Sequence, residues 1–127
     1  MSQSMPVLQK TFLAATDLST LQWTFVKMSA DQTVTGAGAG EQAIGVLTNM
    51  PAAVGRGAVV RLLGTTKIKC NGASPNIVAG YPLKSGANGV GVYANTNKDI
   101  VNAIALAGST ADGDLVECLL ASFVINK

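Results

Sequence analysis

The chain has 127 residues, enough for one domain with little room for a second. Only 13% of them are charged and 48% are hydrophobic, so small and neutral polar side chains have to form most of the surface. A net charge of +2 is too small to gather phosphate groups, and the lack of histidine excludes serine or cysteine catalysis that uses an imidazole base. We therefore expect no nucleic-acid partner.

The first stretch of the chain, residues 1–19, predicts an extended N-terminal arm rather than a strand of the core. Its start is polar and contains Pro6, which argues against a helix, and its apolar side chains come in adjacent pairs. Such pairs point to both sides of an extended chain, so one sheet face cannot cover them all. The arm residues expected to contact a neighbouring protein are Val7, Leu8, Phe12 and Leu13. The alternative is an edge strand that pairs within its own subunit or oligomer.

The remaining residues, 20–127, predict a single all-β domain. Fourteen glycines are spread along the chain and separate short apolar runs, which is typical of strands and turns. The clearest alternation lies at 65–70, where Thr66, Ile68 and Cys70 are expected to point inward and the two lysines outward. Further strands are expected at 21–25, 43–48, 58–63, 90–94, 100–106 and 115–125. The fold class is therefore a compact β-sandwich or barrel of short antiparallel strands.

Three local patterns refine this picture. Asn88-Gly89 predicts a hairpin turn, because both residues tolerate a positive φ. Cys70 and Cys118 lie on the apolar phase of their strands and are expected to be buried, reduced thiols. The stretches 44–63 and 101–120 resemble each other at offsets of 57 residues in the first part and 56 in the second, which aligns Val60 with Val116 and Arg61 with Glu117. This resemblance is either a duplicated sheet unit or a chance likeness of two glycine-led hairpins.

The candidate catalytic and metal-binding motifs each have a simpler explanation. The loop 36–40 is rich in glycine, but it lacks the Lys-Ser/Thr of a phosphate-binding loop and the helix of a dinucleotide site. Asp112 and Asp114 flank Gly113 in an ordinary turn, and neither cysteine has a base nearby in the sequence. We expect no catalytic residue, no metal and no cofactor, and therefore no enzyme.

Several outward positions on the predicted strands are apolar, which is unusual for a monomer in water. They include Leu63, Leu115 and Leu119, and the charged residues Arg61 and Glu117 interrupt them. These five residues predict an oligomer interface, with a homotrimer as the expected state. The competing interpretation is that a sandwich face within one subunit covers the leucines.

Seven glycine and strand motifs follow one another along nearly the whole chain. In order they are Ala43-Ile-Gly-Val-Leu47, Gly57-Ala-Val-Val-Arg-Leu-Leu-Gly64, Lys67-Ile-Lys-Cys70, Gly80-Tyr-Pro-Leu-Lys84, Asn88-Gly-Val-Gly-Val92, Ala103-Ile-Ala-Leu106 and Gly113-Asp-Leu-Val116. This order resembles the capsid decoration, or cement, proteins of tailed bacteriophages. The sequence departs from the pattern at Asn102, where such chains usually have glycine, and at Tyr81-Pro82, which replace the usual acidic residue.

The resemblance implies a protein without an active site that sits on the outside of a shell of major capsid protein, usually as a trimer, and staples neighbouring capsomers. The N-terminal arm would then be the capsid contact. No signal peptide and no apolar run near the ~18 residues of a membrane span is present, so we expect assembly in the host cytoplasm and no membrane partner.

The alternative function is a carbohydrate- or receptor-binding β module on a virion surface. Such a module would be expected to expose several aromatic side chains, and the candidates are Trp23, Tyr81 and Tyr93. Of these, Trp23 is predicted to be buried in the core.

Overall fold

The computed structural model describes residues 6–126, which form nine β-strands and one short 3-10 helix. No α-helix occurs in this range, so the predicted all-β class is confirmed. The strands are β1 (Pro6–Ala14), β2 (Phe25–Ala30), β3 (Thr33–Gly36), β4 (Gly45–Leu47), β5 (Gly57–Asn71), β6 (Pro82–Ser85), β7 (Gly91–Tyr93), β8 (Ile100–Ala105) and β9 (Asp112–Val124).

All nine strands belong to one mixed sheet of order β1-β3-β2-β4-β5-β7-β6-β8-β9. Two further pairings, β1 with β5 and β5 with β9, close this sheet into two five-stranded barrels that share β5. We call β1 to β5 the first barrel and β5 to β9 the second barrel. The long strand β5 contributes residues 57–64 to the first and 65–71 to the second.

The two barrels have the same topology. Their corresponding strands pair in the same order and direction, including the parallel pairs β1–β3 and β5–β7. The register of the pairing is also the same in both barrels. Leu47, the last residue of β4, is opposite Val60 of β5, and Ala105, the last residue of β8, is opposite Cys118 of β9. The structure therefore supports a duplicated sheet unit, and it matches Val60 with Cys118, two positions from the residue that the sequence alignment assigned to it.

Each barrel encloses its own apolar core. The first contains Phe12, Ala14, Leu18, Val26, Val34, Leu47, Ala58 and Val60, and the second contains Ile68, Cys70, Ile77, Leu83, Ala103, Ala105, Val116 and Cys118. Phe25 and Val46 belong to strands of the first barrel but pack into the second core, and both are fully buried. These two side chains join the barrels into one body, and burial of the phenylalanine alone stabilises it by about 2 kcal/mol.

The predicted arm is wrong as a description of the backbone, because residues 6–14 form β1. This strand pairs antiparallel with β5 from Pro6↔Gly64 to Leu13↔Gly57, and its C-terminal end pairs with β3. Phe12 is buried in the first core. The proposed boundary at residue 19 therefore cuts through the first barrel, and residues 1–5 lie outside the described range.

The strand predictions differ from the structure in length, direction and number. The strands are not all short or antiparallel, since β5 has 15 residues and two pairings are parallel. The expected strand at 21–25 is mostly a loop that β2 follows, and β3 and β6 were not predicted. The hairpin at Asn88-Gly89 is confirmed: both residues have positive φ, 60° and 75°, and β6 pairs antiparallel with β7 across them.

Candidate interaction surfaces

The glycine-rich loop 36–40 is occupied by a side chain of its own chain. The Gly38 N–H donates to Glu41 Oε1 at 2.6 Å, and Lys27 Nζ binds the same carboxylate at 2.7 and 2.9 Å. The hydrogen bond from Lys27, followed by the bond from Gly38, lowers the pKa of Glu41. A carboxylate in this position repels a phosphate group, so the loop is not a phosphate site.

The acidic turn before β9 is also held by local contacts. Asp112 Oδ1 accepts the N–H of Ala73 at 3.2 Å, and Asp114 Oδ2 accepts the hydroxyl of Ser109 at 2.9 Å. Within residues 6–126, no group of three or more histidine, cysteine or acidic side chains is placed to hold a metal ion. The turn acids therefore stabilise the entry into β9.

Both cysteines point into the second barrel, as their strand phase predicts. Cys70 and Cys118 are fully buried and are not joined by a disulfide. A hydrogen bond with Cys70, together with burial, raises the pKa of the Cys118 thiol. A raised pKa makes the Cys118 thiol a poor nucleophile, and both cysteines have a packing role because both lie in the second core.

Several exposed leucines lie on paired strands around the junction of the two barrels. Leu8 of β1 faces Leu63 of β5, and Leu119 of β9 faces both Thr65 of β5 and Ile104 of β8. Leu63 and Thr65 are two residues apart on β5, with Gly64 at φ +100° between them, so Leu63 and Leu119 lie on either side of the junction of the two barrels. The three leucines are 47%, 51% and 40% exposed. We call Leu8, Leu63, Leu119 and Ile104 the leucine row.

The other predicted interface residues lie in different surroundings. Arg61 is not an exposed rim charge, because it is 7% exposed and its Nε and Nη2 donate to Gln9 Oε1 of the same chain at 3.1 and 2.8 Å. Glu117 faces Lys67 across β9 and β5, while Leu115 faces Lys69 beside Trp23. The structure thus places Leu63 and Leu119 on adjoining parts of the sheet, with Arg61 and Glu117 two positions away from them on the same strands and Leu115 further along β9.

The four predicted arm residues also divide between surface and core. Val7, Leu8 and Leu13 are exposed, whereas Phe12 faces the core and is unavailable to a partner. Leu13 follows Phe12 directly, so the two side chains point to opposite faces, whereas Leu8 is separated from Phe12 by a register shift between Leu8 and Gln9.

A second apolar surface lies in the loop between β4 and β5. The sequence pattern indicated only that a strand ends before this loop. Met50, Ala52, Ala53 and Val54 are all exposed, and Val54 is 74% exposed. The loop is fixed against β1, because the Gly55 N–H donates to Ala14 O and the Ala14 N–H to Arg56 O, each at 2.9 Å. We call Leu13, Ala52, Ala53 and Val54 the apolar tip. The run Met-Pro-Ala-Ala-Val in a turn was the signal for it, because loop residues are usually polar.

The described residues contain no helix long and apolar enough to span a membrane. In comparisons with known proteins, no family model and no curated protein matches the chain in sequence. Its fold is similar to the crystal structure of the N base of head fiber gp8.5 of bacteriophage phi29, with a TM-score of 0.66. The similarity covers 90% of this chain and 93% of the other at 16% sequence identity. The likeness therefore establishes a shared fold over nearly the entire length of both chains.

Proposed function

We propose that this protein is a structural component of a phage head, which assembles as a homotrimer on the outer surface of the shell and binds the major capsid protein. The observation that carries the proposal is the shared fold with a head-fiber base over nearly the whole chain. The decoration-protein resemblance of the sequence motifs points to the same class of particle. A fiber base and a decoration protein both have to bind a shell, so the two lines of support agree on a head-bound protein.

The two apolar surfaces support separate roles in such an assembly. The leucine row crosses four strands and carries no charged residue, which suits contact with identical subunits. The apolar tip is a loop fixed at one end of the first barrel, which suits insertion between capsid subunits. We assign the row to the trimer and the tip to the shell.

The mechanism of head stabilisation follows from linked contacts. In a trimer, three copies of the apolar tip are held at fixed separations, so binding of one raises the effective concentration of the others. Removal of apolar surface from water at each contact favours the bound state. A protein that binds only the assembled shell stabilises that shell by mass action.

Decoration of heads that lack the protein tests this function. Purified protein is added to such heads, and electron microscopy measures the density on their outer surface. We expect saturable outer-surface binding that Val54→Asp weakens at least tenfold, because a carboxylate at the tip would lose its hydration on binding. The control is Val78→Asp, at a position that is 51% exposed on the second barrel. Absence of binding, or binding only to the tail, would contradict the proposal.

A further inference from the structure

A groove follows the loop between β1 and β2, which begins and ends in the first barrel and packs against the second through Trp23. It consists of three adjoining depressions of about 540, 380 and 290 Å³. The first and second share Thr20 and Lys69, and the second and third share Leu21 and Asn88. The groove is separate from both the leucine row and the exposed residues of the apolar tip.

Several polar side chains that line the groove have groups without a hydrogen-bond or ion-pair partner among residues 6–126. The side chains of Thr20, Lys69 and Asn88 have no hydrogen-bond or ion-pair partner within residues 6–126. Gln22 uses its amide nitrogen to donate to Thr48 O at 3.0 Å, which leaves its carbonyl oxygen available. The one acidic lining residue, Glu41, is neutralised by Lys27. The lining therefore offers hydroxyl, amide and ammonium groups without an uncompensated negative charge.

Trp23 stands at one end of the groove in a constrained backbone conformation. Its φ is +65°, a left-handed value that aromatic residues rarely adopt. Two hydrogen bonds of 2.7 Å hold it, from the Trp23 N–H to Leu47 O and from the Lys69 N–H to Trp23 O. The indole is half-buried, because it packs in part against the second core and Lys67 Nζ lies over its ring, 5.7 Å from the centroid. The fold thus fixes its single tryptophan beside the unpaired polar groups, with contacts to both barrels.

The chemistry of this lining favours a sugar chain over a peptide. A peptide strand binds by pairing with free backbone groups, but the N–H groups of Leu18, Leu21, Trp23 and Thr24 already donate to backbone oxygens. Sugars are recognised through hydroxyl and amide side chains, and their apolar ring faces pack on aromatic rings. We propose that this groove binds an oligosaccharide, with the exposed part of the half-buried Trp23 as the apolar contact and Thr20, Gln22 and Lys69 as hydrogen-bonding groups. This activity does not depend on the proposed attachment to a head.

Because Trp23 is the only tryptophan, the intrinsic fluorescence of the full-length protein reports on the groove directly. We expect at least one of cellohexaose, maltohexaose and chitohexaose to shift the emission in a saturable manner. Thr20→Val and Lys69→Met should each weaken that binding about tenfold or more. The matched controls are Thr110→Val and Lys98→Met, which change exposed residues outside the groove and should bind like the parent protein.

Three results would overturn the proposal. The first is an emission spectrum that none of the three hexasaccharides changes, and the second is unaltered affinity in both groove variants. The third is a shift produced by peptides of the major capsid protein and by none of the sugars, which would make the groove a protein-binding site. Circular dichroism of each variant must match that of the parent protein, so that a loss of binding is not a loss of folding.

Discussion

At the scale of single residues, Arg61 shows how tertiary contacts change the meaning of a charge. Its position among outward apolar residues predicted a rim charge, but the fold buries it behind Gln9. Burial lowers its pKa, although a guanidinium remains charged at neutral pH. Its Nη1 is buried and has no hydrogen-bond partner among the described residues. A buried cation with an unused donor costs free energy, so the charge of Arg61 contributes little to the stability of the fold.

We predict that Arg61→Met leaves the free energy of unfolding unchanged or raises it by about 1 kcal/mol. Methionine fills a similar volume and removes both the buried charge and the unused donor, while the exposed Gln9 can bind water instead. Urea unfolding followed by circular dichroism measures the change. Arg61→Ala serves as the comparison, since it should destabilise the protein by leaving a cavity. A methionine variant that is less stable by more than about 1 kcal/mol would show that the charge has a stabilising partner.

At the scale of elements, the sequence patterns that were interpreted correctly are those that depend only on residues close together in the chain. The turn at Asn88-Gly89 depends on two φ angles, and the alternation at 65–70 depends on one strand having a buried face. β1 could not be recognised in the same way, because its partner β5 begins more than forty residues later. The adjacent pair Phe12 and Leu13 was correctly assigned to opposite faces, and the face of Phe12 proved to be a barrel core.

We predict that Phe12→Ala lowers the free energy of unfolding by about 3 kcal/mol, because it leaves a cavity in the first core. Leu13→Ala is the matched control: its side chain is 48% exposed, so it should cost less than about 1 kcal/mol. Thermal or urea unfolding of the purified variants measures both values. Equal and negligible effects from the two substitutions would indicate a free arm instead of a core strand.

At the scale of the whole molecule, the fold is a duplicated barrel whose two copies share one strand. The sequence contains a trace of this duplication, but core side chains differ between equivalent sites, as with Val60 and Cys118. The outer surfaces differ as well, since the first barrel carries the apolar tip and the second places Lys67 opposite Glu117. One topology therefore presents two unlike outer surfaces, which fits the proposal that one surface contacts like subunits and another contacts the shell.

We predict a trimer of the 12.9-kDa chain that Leu63→Glu or Leu119→Glu converts to a monomer. Each substitution places a charge in the centre of the leucine row, where a dry contact would strip it of water. Light scattering at micromolar concentration measures the mass. Val78→Glu alters an equally exposed apolar residue outside the row and should remain trimeric. A monomeric mass for the parent protein would rule out this interface.

The sequence by itself determined the all-β class, the buried phase of residues 66–70, the hairpin turn and the burial of both cysteines. These properties depend on local backbone preferences and on strand alternation, which are written in neighbouring residues. Only the tertiary structure decided the closure of two barrels, the position of β1, the burial of Arg61 and the meeting of Leu8 with Leu63. Each of these depends on pairing between residues far apart in the chain, and the choice among such pairings is settled by packing of the complete fold, which no local pattern contains.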